Sequence, residues 1–275
     1  MTVSGRPIAI VGAGPVGSIV AAAMGQAGQD TILIEVSEKR RNQILENGLK
    51  VTGRGSWEAP APIVLTCIEE LATHNPFAVL ISAKTWALKY ILPELRKVVP
   101  PDTLVISFQN GIGPEDEVAH YFPRENVARA IVNYAGKVID ETGTTSMSFF
   151  NPPNILGPLL HEEDHRLIQI AELMTSAGLT TTTSTQKEMR KLAFFKTILN
   201  SSLNALCATS GITMRSAMTY AHTRNLARML VREGLSVASA VGYNYGEHAM
   251  ERCMNYLDNG GDHMPSMWSD LRAAN

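Results

Sequence analysis

Lys196, Asn200 and Asn204, in the segment FKTILNSSLNAL, fall at i, i+4 and i+8, a spacing that places all three on one stripe of a helix. Such a stripe carries polar chemistry: one ammonium and two carboxamides, offering a charge together with hydrogen-bond donors and acceptors. Ile198, Leu199, Leu203 and Leu206 recur at three- and four-residue intervals and read as the buried face of the same helix. The polar stripe is then expected to line a cleft rather than a core. Lysine and asparagine are most often solvent-facing, so taken alone the stripe reads first as a wet helix surface. The other end of the chain weighs against that plainer reading.

Ile8 to Val11 is a short apolar run suited to a buried parallel strand, and it leads directly into GAGPVG, formed by Gly12, Ala13, Gly14, Pro15, Val16 and Gly17. A helix of small residues follows as far as Gly25. Strand, glycine turn and helix in this order are the context that a dinucleotide-binding fingerprint requires. Gly12 permits the tight turn, Gly14 lets backbone approach a pyrophosphate, and Gly17 lets helix pack closely on strand, with the helix N-terminus facing the anion.

A second strand, TILIE, ends at Glu35, where a carboxylate can accept hydrogen bonds from an adenosine ribose. That favours NAD over NADP. The counter-signal is SEKRR just beyond, because Lys39, Arg40 and Arg41 could reach a 2'-phosphate. The plainer reading of this run is that it solvates the next helix.

The chain has 275 residues, 45% hydrophobic and 18% charged, ordinary values for a soluble globular protein with length enough for two cores. A net charge of -2 gives no electrostatic footprint for nucleic acid or an anionic membrane. Cys67, Cys207 and Cys253 are widely spaced and odd in number, which suits a reducing compartment and neither a disulfide framework nor a zinc site. No apolar run approaches the ~18 residues of a membrane span, and the first residues do not read as a signal peptide. A cytoplasmic location is expected.

The first two thirds of the chain alternate strand and helix. Phe77 to Ser82 and Thr103 to Phe108 read as buried strands around a helix from Thr85 to Val98, with further strand-like runs at Val127 to Val132, Thr145 to Phe150 and Thr180 to Ser184. After that the pattern is helical to the end. The expected architecture is α/β: an N-terminal Rossmann-type, doubly wound parallel sheet over residues 1–184, then an all-helical C-terminal domain over 185–275. With no flexible linker between them, the two are expected to form an active site together. Two motifs are decoys. His161 to His165 spells HEEDH, a zinc-protease pattern, but the segment is strongly acidic, reads as the charged first turn of a surface helix, and offers no third ligand, so no metal is expected. Asn200-Ser201-Ser202 is a formal glycosylation sequon without meaning on a cytosolic helix.

Several separated motifs, in order, give the chain a resemblance to the ketopantoate reductase (2-dehydropantoate 2-reductase) family. They are the glycine turn GAGPVG; ISAKTW with Lys84, similar to the family's strand ending in lysine; FQNGIG with Gln109, Asn110 and Gly111; the lysine with asparagines four and eight residues on; and HMPSMWSDL, which places Ser266 on the family's substrate-binding serine. The resemblance covers nearly the whole chain.

It implies hydride transfer from C4 of a reduced nicotinamide to the keto carbon of a 2-oxo acid, most directly 2-dehydropantoate to pantoate in pantothenate biosynthesis. Lys196 would protonate the carbonyl oxygen and stabilise its developing charge, a task suited to a lysine whose pKa is lowered by partial burial. Asn200, Asn204 and Ser266 would hydrogen-bond the substrate. Asn110 would sit beside nicotinamide and carbonyl, and Lys84 near the cofactor, both at carboxyl ends of strands. Family members often dimerise, so a homodimer is expected as well.

The chain departs from the family in four places. NPL after the helix is Asn204-Ala205-Leu206 here, a further substrate-side asparagine is Ser210 or lacks a counterpart, and no arginine stands beside Glu35 to select NADP. The chain also stops at Asn275, whereas the family continues through an acidic residue and more helix. The natural product is therefore expected to be longer, with chain or a partner over Met264, Met267 and Trp268. Another 2-oxo acid reductase or an opine-type dehydrogenase is the alternative within the enzyme class; from another class, a non-catalytic nicotinamide-binding sensor would have no need of Lys196.

Overall fold

The structure, a computed structural model, describes residues 3 and 5–273 and divides into two compact units, Met1–Arg190 and Lys191–Asn275. The first unit opens with β1 (Ile8–Val11), α1 (Pro15–Gln26), β2 (Thr31–Ile34), α2 (Glu38–Asn47), β3 (Leu49–Gly53), β4 (Trp57–Ala59) and β5 (Ile63–Leu65). It continues with β6 (Ala78–Ile81), α3 (Leu88–Val98), β7 (Leu104–Ser107), α4 (Pro114–Val118), β8 (Val127–Ile131), β9 (Tyr134–Val138) and β10 (Thr145–Phe150). β11 (Asn154–Pro158), α5 (His165–Ser176) and β12 (Thr181–Thr183) complete the sheet, after which α6 (Gln186–Ser210) runs from the first unit into the second.

The main sheet has the order β12-β11-β8-β7-β6-β1-β2-β5 and is parallel except where β11 runs against β8. Its central strands β1, β2, β6 and β7 are buried at every residue, which is why they read as unbroken apolar runs. The Thr145 to Phe150 strand does not join them. It belongs to a second sheet, β4-β3-β10-β9, whose strands alternate buried and exposed residues and are only three to six residues long; such short alternating strands are hard to tell from loops in sequence. α1 touches all four strands of this sheet as well as β1 and β2. Packing on two sides explains its composition: every residue from Gly17 to Met24 is buried, and a Cβ on Gly25 would stand 3.0 Å from that of Ala59.

The expected charged turn at HEEDH is not helical at its start. Asp164 caps α5, its carboxylate accepting the Arg166 N–H at 2.9 Å, so the helix begins only at His165. The two histidines therefore do not share a helical face.

In the second unit α6 is followed by α7 (Met214–Thr219), α8 (Ala221–Ala240), α9 (Ala249–Asp258) and α10 (Ser266–Ala273). Their core gathers Ile198, Leu199, Leu203, Met218, Val231 and Leu257. Gly234 on α8 lies against Ile198, close enough that a Cβ would meet it at 3.0 Å. Phe194 and Phe195 pair with Tyr243 and Tyr245 at centroid distances of 5.4 and 5.1 Å, and Arg224 on α8 grips Asp258 on α9 through both carboxylate oxygens. Cys207 and Cys253 are buried, which raises both thiol pKa values and keeps them unreactive. Leu203 is fully buried, so Leu203→Ala is expected to cost ~2–5 kcal/mol, read as a lower denaturant midpoint; an unchanged midpoint would remove Leu203 from the core. Of the apolar residues expected to need cover, Met267 is exposed and Met264 and Trp268 are half-buried. Ala274 and Asn275 lie outside the described residues.

Candidate active site

Parallel pairing aligns the ends of four strands. Val11 pairs with Ile34 and Ile81, and Ile81 with Ser107, so the segments leaving β7, β6, β1 and β2 emerge side by side at the carboxyl edge of the sheet. These are the Gln109-Asn110-Gly111 loop, the Ser82-Ala83-Lys84 segment, the glycine turn and Glu35. Ligands bind at such an edge in open α/β sheets.

The glycine turn is built to the requirement of close approach. Gly12 has φ +99°, a left-handed conformation favouring glycine. A Cβ on Gly17 would fall 2.0 Å from the Gly12 carbonyl oxygen and 2.5 Å from Ser82 Oγ, whereas one on Gly14 would meet nothing within 4 Å. Gly17 is thus fixed by packing inside the protein, and Gly14 faces open space. The Ser82 hydroxyl donates to the Gly12 carbonyl at 2.7 Å. α1 starts at Pro15 with no side-chain cap, leaving its first N–H groups for an anion. The residues present fit the pyrophosphate of a dinucleotide.

Glu35 follows β2, its two carboxylate oxygens accepting the N–H groups of Ala13 at 2.9 Å and Ser37 at 2.8 Å. Each oxygen retains capacity to accept a further bond. The basic run beyond it divides three ways. Lys39 pairs with Asp140 at 3.5 Å, and Arg41 donates to the carbonyls of Glu35 and Val36 at 3.1 and 2.8 Å. Arg40 departs from both readings of the run, because it neither faces solvent nor points outward: it is 8% exposed and turned into the protein.

Lys84 and Asn110 are exposed. Gln109 beside Asn110 is buried, accepting from the Ser107 hydroxyl and donating to the Ala83 carbonyl at 3.1 Å, so it ties the two loops together. Below them Arg129 on β8 pairs with Glu115 at 2.6 Å, both buried, and donates to the Gly111 carbonyl. Nothing in the sequence marked Arg129 or Glu115; a charge on a strand shows its role only when its partner is known.

Lys196, Asn200 and Asn204 share one stripe of α6 and are all half-buried, while Ile198, Leu199 and Leu203 on the other side are buried. Ser266 is the exposed first residue of α10, a separate element of the same unit.

Comparison with known proteins gives these features a common setting. Residues 8–150 match the family described as Ketopantoate reductase PanE/ApbA, and residues 188–275 match its C-terminal region. A 2-dehydropantoate 2-reductase of Streptococcus pyogenes serotype M3 is 23% identical over 270 residues, 95% of this chain and 83% of that protein. One from Aquifex aeolicus is 27% identical over 226 residues, 82% of this chain and 69% of its own length. Among solved structures, 2-dehydropantoate 2-reductase from Geobacter metallireducens superposes with a TM-score of 0.85 at 25% identity, covering 98% of this chain and 88% of that one. D-mandelate dehydrogenase with NADH and anilino(oxo)acetate superposes equally well, TM-score 0.85 at 23% identity, covering 98% and 86%. With both regions matched across the sheet and the helical part, the chain belongs to the ketopantoate reductase PanE/ApbA family.

Proposed function

We propose that this chain reduces the keto carbon of a 2-oxo acid, with 2-dehydropantoate as substrate and pantoate as product. The observation that carries the reading is the half-buried lysine heading a stripe of two asparagines on α6, in a chain whose relatives are 2-dehydropantoate 2-reductases. A bound reduced nicotinamide supplies the hydride. The Lys196 ammonium donates its proton to the carbonyl oxygen, and its charge stabilises that oxygen as electron density arrives. Asn200, Asn204 and Ser266 hydrogen-bond the substrate's hydroxyl and carboxylate oxygens. Asn110 stands at the carboxyl end of β7 for nicotinamide and carbonyl, and Lys84 at the end of β6 for the cofactor. The reading is tested by consumption of NADH or NADPH on adding 2-dehydropantoate, beside pyruvate, 2-oxoglutarate and phenylglyoxylate. The expected result is the highest kcat/KM with 2-dehydropantoate. Preference for the aromatic acid would favour the second reading, a related 2-oxo acid reductase, which the likeness to D-mandelate dehydrogenase supports. A cytoplasmic homodimer is the setting this reading expects.

The cofactor in this proposal is NAD. Glu35 presents a carboxylate where a 2'-phosphate would need a cation, and the three bases after it are engaged with Asp140, with backbone carbonyls and with the protein interior. kcat/KM is expected to favour NADH over NADPH, and Glu35→Ser to narrow that preference. A strong wild-type preference for NADPH would show instead that the basic run outweighs Glu35.

A further inference from the structure

Arg40 lies on α2, where Ile44 is the other buried residue, and its guanidinium makes three separate bonds. Nε donates to the Ala13 carbonyl at 3.1 Å, one terminal nitrogen to the Ser18 hydroxyl at 2.8 Å, and the other to the Gly143 carbonyl at 2.6 Å. The Ser18 hydroxyl itself donates to the Ala13 carbonyl at 2.8 Å. The Ala13 oxygen is therefore held by two donors, while the Ala13 N–H is held by Glu35 at 2.9 Å. Gly143 has φ +70°, and a Cβ there would stand 2.7 Å from Cβ of Gln43 and 3.1 Å from the Arg40 guanidinium, so the β9–β10 turn closes over α2. Burial disfavours the charged form of the guanidinium and the Glu35 carboxylate favours it.

A peptide unit is planar and trans, so its C=O and N–H point in opposite directions. Pinning the Ala13 carbonyl inward aims the Gly14 N–H outward, on the turn where Gly14 faces open space. Resting on the dinucleotide reading of the turn, we propose that Arg40 is a positioning residue for the cofactor: it fixes the Ala13–Gly14 peptide so that its N–H meets the pyrophosphate, and sets a cation behind the turn. The preference of arginine for this place follows from its planar fork, which reaches three acceptors that a lysine ammonium on a flexible stem does not hold in register.

The test is the affinity of Arg40→Met, Arg40→Lys and Ser18→Ala for NADH by fluorescence, with ADP-ribose and adenosine as competitors. Both Arg40 variants are expected to bind NADH and ADP-ribose about tenfold more weakly, the weight of one charge-assisted hydrogen bond. Adenosine, lacking phosphate, is expected to bind as to the wild type, and kcat at saturating NADH to stay within about threefold. Equal losses for adenosine and ADP-ribose would overturn the proposal by showing a merely structural role, as would full recovery in Arg40→Lys or an unchanged NADH affinity in Arg40→Met. Should Arg40→Met not fold, Ser18→Ala reads the same clasp, with about threefold weaker ADP-ribose binding expected and no change overturning it. A wild type that binds neither NADH nor NADPH would instead refute the dinucleotide reading, and the proposal with it.

Discussion

Lys196→Ala is expected to lower kcat for 2-oxo acid reduction by ~100-fold or more, the scale for loss of a general acid that also stabilises charge, while the Kd for NADH changes by less than about twofold. The asymmetry follows from where the residue acts: it belongs to the helical unit, on the stripe with Asn200 and Asn204, whereas the glycine turn and Glu35 belong to the sheet unit. Lys191 is the neighbouring rival. Its ammonium lies 5.9 Å from the Tyr245 ring centroid, and its position five residues earlier puts it off the stripe, so Lys191→Ala is expected to keep near-wild-type turnover. Near-wild-type kcat in Lys196→Ala would remove that lysine from the mechanism.

The glycine turn separates packing from binding in one pair of variants. A Cβ on Gly14 meets no atom within 4 Å, and its φ of -66° suits any residue. Gly14→Ala is therefore expected to leave the unfolding midpoint unchanged and to weaken NADH binding about tenfold or more, because the methyl group occupies space the pyrophosphate needs. A Cβ on Gly17 would be 2.0 Å from a backbone oxygen, so Gly17→Ala is expected both to destabilise the sheet unit and to reduce NADH affinity by ~100-fold. Tight NADH binding in Gly14→Ala would mean that the cofactor does not cross the turn at that residue.

Legibility in the sequence followed the kind of burial. The strands β1, β2, β6 and β7 are buried on both faces and declared themselves as apolar runs, and the glycine turn between β1 and α1 could be placed from spacing alone. β3, β4 and β9 could not, because they are short and half-exposed, and β3 is in addition paired with the distant β10. Arg40 shows the same limit for a side chain. Within SEKRR three bases look alike, but only Arg40 points inward, and the acceptors that hold it there, the Ala13 carbonyl, the Ser18 hydroxyl and the Gly143 carbonyl, lie 27, 22 and 103 positions away in the chain. The buried Arg129–Glu115 pair is likewise a consequence of β8 lying beside β7, information carried by topology and not by any local motif. The Lys196 stripe was readable because helical periodicity is local; the role assigned to it remains the proposal that Lys196→Ala addresses.

Hydride transfer from the nicotinamide to the keto carbon is tested by following the hydrogen itself. The chain is incubated with 2-dehydropantoate and NADH carrying deuterium at both C4 positions, and the product is examined by mass spectrometry and NMR. The expected product is pantoate with one deuterium at the carbon that bore the keto oxygen, formed in step with NADH loss. Cofactor binding without any pantoate, or pantoate whose new hydrogen comes from solvent, would contradict it.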